Sequence, residues 1–165
     1  MSRSFRLSIA GCLAVAVMAV GGPAAATCNN LLCICTATTL GVGFSTYDPT
    51  SSTDNTSTGS VTVSCILTIL SAGSYSISLS PGQSGSYASR SMTYAGSTLS
   101  YNLYTAAGSP APVWGDGTGG SQTVTGSFSA SLINSQTFYV YGRAPAKQNV
   151  AAGPYADTVL VTVTY

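Results

Sequence analysis

The chain of 165 residues contains no histidine and no glutamate, and charged residues make up only 5% of it. Without histidine, a serine or cysteine nucleophile lacks its usual general base. The four aspartates are scattered along the chain and form no recognisable carboxylate pair for glycoside hydrolysis. The single lysine, Lys147, lies in a loop flanked by proline and glycine, without an SxxK motif. The sequence therefore does not predict an enzyme.

Charge is also too sparse to predict binding to nucleic acid or to an anionic membrane. Five basic and four acidic residues give a net charge of +1, and no basic cluster forms the footprint that such partners need. No motif predicts a small-molecule cofactor. The polar surface must come from Ser, Thr, Gly, Asn and Gln, a composition common among exported β-proteins.

The first 26 residues resemble a cleaved leader in their layout. Two arginines precede an apolar run at residues 7–20, and an Ala-Ala-Ala stretch follows at residues 24–26. This order is typical of a signal peptide. The run is shorter than the ~20 apolar residues of a membrane span, so an uncleaved anchor is the less favoured alternative. We predict a signal peptide at 1–26 and one domain at 27–165.

The domain at 27–165 contains four cysteines, Cys28, Cys33, Cys35 and Cys65. An even number of cysteines in an exported chain predicts two disulfides, and four cysteines allow three pairings. Because Cys65 lies outside the N-terminal cluster, it is expected to pair with Cys33 or Cys35. A thiolate metal site is the alternative, but the chain has no histidine to complete one.

Apolar and polar residues alternate in several short stretches, which turn-rich segments separate. A period of two residues is typical of a strand with one buried face. The spacing predicts roughly seven strands in an antiparallel β-sandwich. The polar segment 50–59 is predicted to be a solvated loop. The alternating stretches are 61–65, 75–79, 99–103, 138–140 and 155–165.

The last of these stretches is the most regular. Residues on one side of it are three valines and a tyrosine, and those on the other side are Leu160, Thr162 and Thr164. Such a strand is expected either to be tucked into its own sheet or to be offered to a partner. The four residues of the apolar side are Val159, Val161, Val163 and Tyr165.

Four groups of residues follow one another in a distinctive order. They are Cys35 with Gly43-Phe44-x-x-Tyr47-Asp48-Pro49; Gly59-x-Val61-x-Val63-x-Cys65; Arg90-x-Met92 with Leu99-x-Tyr101-Asn102-Leu103-Tyr104 and Trp114-Gly115-Asp116-Gly117; and Tyr141-Gly142-Arg143-x-Pro145-x-x-Gln148 with Gly153-x-Tyr155-x-Asp157-Thr158. Together they resemble the spore coat protein U domain family, which includes the subunits of archaic (Csu-type) chaperone–usher pili.

The resemblance implies an immunoglobulin-like sandwich that lacks its last strand. In that family a periplasmic chaperone lends a strand to the open groove, and the N-terminal extension of the next pilus subunit later replaces it. The implied route is export to the periplasm, then passage to the cell surface through an usher. The resemblance assigns the partner-strand groove to Val159, Val161, Val163 and Tyr165, and one disulfide to Cys35–Cys65. Cys28 and Cys33 are the candidates for a second pair, which would close the N-terminal segment into a small loop.

Two other functions stay open at this stage. Only residues 27–34 precede Cys35, which is short for a donor strand, so the chain is expected to accept a strand more readily than it donates one. A coat protein with a self-completed sandwich is therefore one alternative. The other is an adhesin that binds a glycan or an abiotic surface, with Trp114 as an exposed platform. A role for Trp114 as an anchor at the edge of the core is the favoured interpretation.

Overall fold

The computed structural model describes residues 2–11, 24–27, 33–67, 72–129 and 131–164, with the first two ranges and Cys33 described as main chain only. These residues form eleven β-strands and a short 3-10 turn at Gly82–Ser84. The strands are β1 Ser2–Gly11, β2 Ala24–Thr27, β3 Cys33–Leu40, β4 Gly43–Phe44, β5 Asn55–Leu67, β6 Gly73–Leu79, β7 Arg90–Tyr94, β8 Ser97–Tyr104, β9 Val124–Phe128, β10 Ile133–Ala144 and β11 Tyr155–Thr164.

The strands form an immunoglobulin-like β-sandwich, as the sequence predicts. One layer contains β2, β3, β5 and β10, and the other contains β9, β6, β11 and β1. Strand β8 pairs with both β10 and β7, and so joins the two layers. All pairings are antiparallel except that of β1 with β4. The place beside the last strand, which the resemblance leaves empty, is filled here by β1.

The inner faces of the strands form one apolar core because buried and partly exposed residues alternate along each strand. Alternate residues of β5, from Val61 to Leu67, are buried, and those between them are half-buried or exposed. The predicted inward residues of 75–79 and 99–103 are buried in the same way. The period-two pattern is thus confirmed as the main determinant of the fold.

Two expectations about the strands were wrong. The count of seven was too low because short strands such as β4 and β9 add to it, as do the two strands formed by residues of the predicted leader. The segment 50–59 is a loop only in its first half. Its second half begins β5, where Asn55 pairs with Ala144 and Gly59 pairs with Val140. Pairing with a long neighbouring strand outweighs the polar, low-complexity sequence there.

Candidate functional site

The outer edge of β11 is the most distinctive feature of the sheet. Along its whole length β11 pairs with β1, from Ser2 opposite Thr164 to Gly11 opposite Tyr155. On its other side β11 pairs with β6 and, at one position, with β7. Every residue of β1 belongs to the segment that the sequence assigns to a leader. Without residues 2–11, ten residues of β11 would therefore present an unpaired main-chain edge.

The apolar side of β11 points into the sandwich, as the alternation predicts. Val159 and Val161 are fully buried and Val163 is 3% exposed. The register places positions 7, 5 and 3 of β1 opposite these three valines. Their role toward a partner strand stays a prediction, and Tyr165 lies outside the described residues.

A buried carboxylate fixes the beginning of β11 to the rest of its layer. Asp157 is 2% exposed, and its Oδ2 accepts a hydrogen bond of 2.7 Å from the hydroxyl of Tyr101. Its Oδ1 accepts from the amides of Gln83, at 2.9 Å, and Thr158, at 2.7 Å. Burial raises the pKa of Tyr101 well above its usual range, and the negative charge of Asp157 raises it further, so this hydroxyl stays a donor.

Glycine is required where the 3-10 turn meets this carboxylate. Gly82 has a φ of +69°, in the left-handed region, and a Cβ there would lie 2.1 Å from Oδ2 of Asp157. Ser80, two residues earlier, holds the middle of β11: its amide donates to the carbonyl of Leu160 and its hydroxyl accepts from the amide of Leu160, both at 2.8 Å. The edge of β11 that faces β6 is therefore held by residues within 27–165, and only its outer edge depends on residues 2–11.

Replacing Asp157 with leucine is expected to lower the free energy of unfolding by about 2–4 kcal/mol, because one buried and two part-buried donors lose a charged acceptor. Chemical denaturation measures the change. Asp48→Leu is the matched control, because Asp48 is exposed and its carboxylate accepts hydrogen bonds from the neighbouring residue Thr50 within an exposed turn. Its loss should cost less than about 1 kcal/mol. Equal losses for the two variants would contradict this assignment.

A buried arginine connects three segments that are far apart in the sequence. The side chain of Arg90 is 0% exposed. Its guanidinium donates to the carbonyl of Ser80 at 2.9 and 3.1 Å, to the carbonyl of Trp114 at 2.8 Å and to Oδ1 of Asn102 at 2.6 Å. Burial lowers the pKa of Arg90, and the hydroxyls and carboxylates around it oppose this shift. Arg90 and Asn102 belong to one recognisable sequence motif, but nothing in the residue pattern indicated that they contact each other.

Trp114 is part of the core. Its side chain is 1% exposed, and its Nε1 donates to the carbonyl of Ile77 at 3.0 Å. The interpretation as an anchor at the edge of the core is confirmed, and an exposed Trp114 platform is wrong. Tyr155 resembles a tyrosine corner, as predicted, because its hydroxyl donates to the carbonyl of Ala151, four residues upstream.

The predicted disulfide between Cys35 and Cys65 is present. The pairing of β3 with β5 places these cysteines directly opposite each other, whereas Cys33 stands opposite Leu67. This register selects Cys35 over Cys33, a choice that the residues alone left open. The second predicted pair, Cys28–Cys33, stays a prediction because Cys28 lies outside the described residues.

The double variant Cys35→Ser/Cys65→Ser is expected to lose roughly 3–4 kcal/mol of unfolding free energy, because the bridge closes a loop with a separation of 30 residues. Thermal unfolding with and without reductant measures it. The variant should match the reduced wild-type protein, and reductant should not change the variant further. A variant as stable as the oxidised protein would contradict a structural role for the bridge.

A cavity of about 240 Å³ lies at the end of the sandwich near this disulfide. The side-chain oxygen of Gln136, which lines the cavity, already has partners within the protein: it accepts from the hydroxyl of Tyr75 at 2.9 Å and from the amide of Ser127 at 3.3 Å.

Among the described residues, no group of three or more Cys and Asp side chains is placed to hold a metal ion. Within the same residues, no helix is long and apolar enough to span a membrane.

Comparison with known proteins identifies a family and several similar solved chains. Residues 16–162 match the family model of the Spore Coat Protein U domain. A solved structure from Acinetobacter baumannii, the CsuC-CsuE chaperone-tip adhesion subunit pre-assembly complex of archaic chaperone-usher Csu pili, contains a chain with 23% identity and a TM-score of 0.49. The match covers 82% of this chain but only 40% of that one. No curated protein matches this chain.

Proposed function

Because this chain belongs to the Spore Coat Protein U domain family, we propose that it is an exported structural subunit of an archaic chaperone–usher type pilus or of a cell-surface coat. In this proposal a strand from another polypeptide completes its sandwich. The observation that carries the proposal is the edge of β11, which takes a ten-residue antiparallel strand along its whole length. That strand comes from residues that a leader peptidase would remove.

The energetics support a requirement for such a strand. A fully buried valine stabilises a fold by about 1.5–3 kcal/mol. Complete exposure of the three valines of β11 would therefore cost roughly 5–9 kcal/mol, and loss of the neighbouring strand costs a part of this. Unpaired main-chain groups along the edge add to this. The total is comparable to the ~5–15 kcal/mol by which domains are stable. The domain at 27–165 should therefore depend on a partner strand.

The partners follow from the same geometry. An extended peptide that binds a sheet edge gains main-chain hydrogen bonds and places alternate side chains in the groove. A periplasmic chaperone would supply the first such strand, an usher would receive the complex, and another subunit would supply the final strand. Localisation in the periplasm and then at the cell surface, in a pilus or coat, belongs to the same proposal.

Co-expression with a periplasmic chaperone of this family tests the proposal. The wild-type chain should co-purify with the chaperone and should be degraded without it. Val163→Asp should abolish co-purification, because it places a charge on the buried side of β11. Thr164→Asp is the control, since this neighbouring residue is exposed on the opposite face. A wild-type chain that accumulates as a monomer without chaperone would contradict the proposal.

A self-completed coat protein is the second candidate, and the pairing of β1 with β11 favours it. If residues 2–11 stay in the finished protein, the sheet needs no partner strand at this edge. The mass of the intact protein isolated from the cell surface distinguishes the two candidates. A chain that begins near Thr27 supports the strand acceptor, and a chain that retains residues 2–11 supports the self-completed sandwich.

A further inference from the structure

Exposed apolar side chains are concentrated on the outer face of the layer that does not contain β11. Seven large apolar residues of the described chain are exposed. Five of them lie on the outer face of β3, β5 and β10, and a sixth, Leu132, directly precedes β10. Only Tyr94 is elsewhere. The five are Ile34 (47% exposed), Leu40 (65%), Ile66 (57%), Ile133 (71%) and Tyr139 (58%).

The register of these three strands arranges the face in four rows, which we call the four-row face. Two outer rows are apolar or mixed, and two central rows consist of hydroxyl residues. None of its twelve side chains is charged. The rows are Ile34–Ile66–Ile133, Thr36–Ser64–Ser135, Thr38–Thr62–Thr137 and Leu40–Ser60–Tyr139.

Four of the six hydroxyl groups in the central rows are hydrogen-bonded to each other in pairs. The hydroxyls of Thr62 and Thr137 are 2.8 Å apart, and those of Ser64 and Ser135 are 2.9 Å apart. Covering these rows therefore leaves fewer unpaired polar groups than covering free hydroxyls would. The absence of charge offers no attraction to nucleic acid or to anionic lipid. An uncharged partner with the same mixture of apolar and hydroxyl groups fits this face best.

The four-row face has the same kind of residue on both sides of its central strand, β5. Ile34 on β3 corresponds to Ile133 on β10, and Leu40 corresponds to Tyr139. A two-fold axis parallel to β5, lying between two copies of the face, places β3 of one copy over β10 of the other. Each apolar residue then meets an apolar residue, and each hydroxyl row meets its own copy. Such self-complementarity is the requirement for an isologous dimer.

We propose that the four-row face is a contact surface for a second copy of this chain, packed sheet against sheet about this axis. The face spans about 20 Å along the strands and about 15 Å across them, or roughly 300 Å² per copy. This is well below the ~800 Å² per partner of a stable complex. One contact is therefore weak, and it becomes effective where many copies are aligned, as on a coat or between fibres.

A charge-exchange experiment on the full chain, refolded with its disulfide, tests this geometry. The two-fold places residue 34 opposite residue 133 of the partner. Ile34→Lys and Ile133→Asp should each lower the association constant from sedimentation equilibrium by about tenfold. The double variant Ile34→Lys/Ile133→Asp should restore it to within about threefold of wild type, because opposite charges then meet. Ile34→Lys/Ile133→Lys should not restore it.

Thr53→Lys, in an exposed loop away from the face, is the control for added charge, and it should leave association unchanged. A wild-type chain that stays monomeric at millimolar concentration would overturn the proposal. So would equal association of the two double variants, or a loss in Thr53→Lys as large as in Ile34→Lys. Because residues 34 and 133 lie in the layer without β11, the charge-exchange result does not depend on which strand completes the edge of β11.

Discussion

A chain shortened to residues 27–165 is expected to yield at least about tenfold less monomer on refolding than the full chain, because it loses the strand that covers β11. Size-exclusion chromatography after removal of denaturant measures the monomer. The missing material should appear as aggregate, since an uncovered edge with buried valines beside it associates with other edges.

The register also predicts a variant of the shortened chain that should recover the ability to fold as a monomer. Because Ser2 stands opposite Thr164, the sequence Met1–Gly11 can be attached after Tyr165 through a two-residue Asn-Gly turn, as a hairpin that keeps this register. This variant of the 27–165 chain should recover the monomer yield of the full chain. If the truncated chain without the added strand folds equally well, the edge of β11 needs no cover.

Arg90→Met is expected to lower the free energy of unfolding by at least about 3 kcal/mol. The substitution keeps most of the apolar volume, but it leaves the carbonyls of Ser80 and Trp114 without their charged donor. The amide oxygen of Asn102 loses its charged donor too and keeps only the amide of Leu103. Each buried acceptor left unpaired costs about 1–3 kcal/mol. Urea denaturation of the full chain measures the loss.

Arg143→Met is the matched control for Arg90. The guanidinium of Arg143 lies 4.4 Å from the ring centroid of Tyr104 and 3.9 Å from a carboxylate oxygen of Asp54, but it is partly exposed. Exposed contacts of this kind are worth about 0.5–1 kcal/mol. The difference between the variants should therefore exceed about 2 kcal/mol. Equal losses of unfolding free energy in the two variants would contradict a larger contribution of the buried Arg90 to stability.

The sequence alone predicted those features that depend on local periodicity. Alternation along β6 and β11 identified which residues are buried, because a strand with one wet face exposes every second side chain. It did the same along β8 except at Asn102, which the alternation places on the wet face but which is buried. The turn between Ala144 and Tyr155 was likewise recognisable from its proline and glycine residues. The inward side of β11 could thus be assigned without coordinates.

Features that depend on distant partners could not be predicted. The acceptors of Arg90 lie 10, 12 and 24 residues away and two of the three are main-chain carbonyls, which leave no trace in residue type. The beginning of β5 at Asn55 depends on pairing with Ala144. The pairing of residues 2–11 with β11 joins opposite ends of the chain, and their resemblance to a leader favoured a different interpretation.

Hydrogen exchange along β11 tests the central claim most directly. The 27–165 chain is refolded with a peptide of sequence Ser2–Gly11, and with a control peptide in which Phe5, Leu7 and Ile9 exchange places with Ser4, Arg6 and Ser8. The control keeps the composition but reverses the alternation. We predict that the first peptide protects the amides of β11 and yields a monomeric complex, and that the second does neither. Equal protection by both peptides, or full protection without any peptide, would contradict an account in which β11 needs a complementary strand.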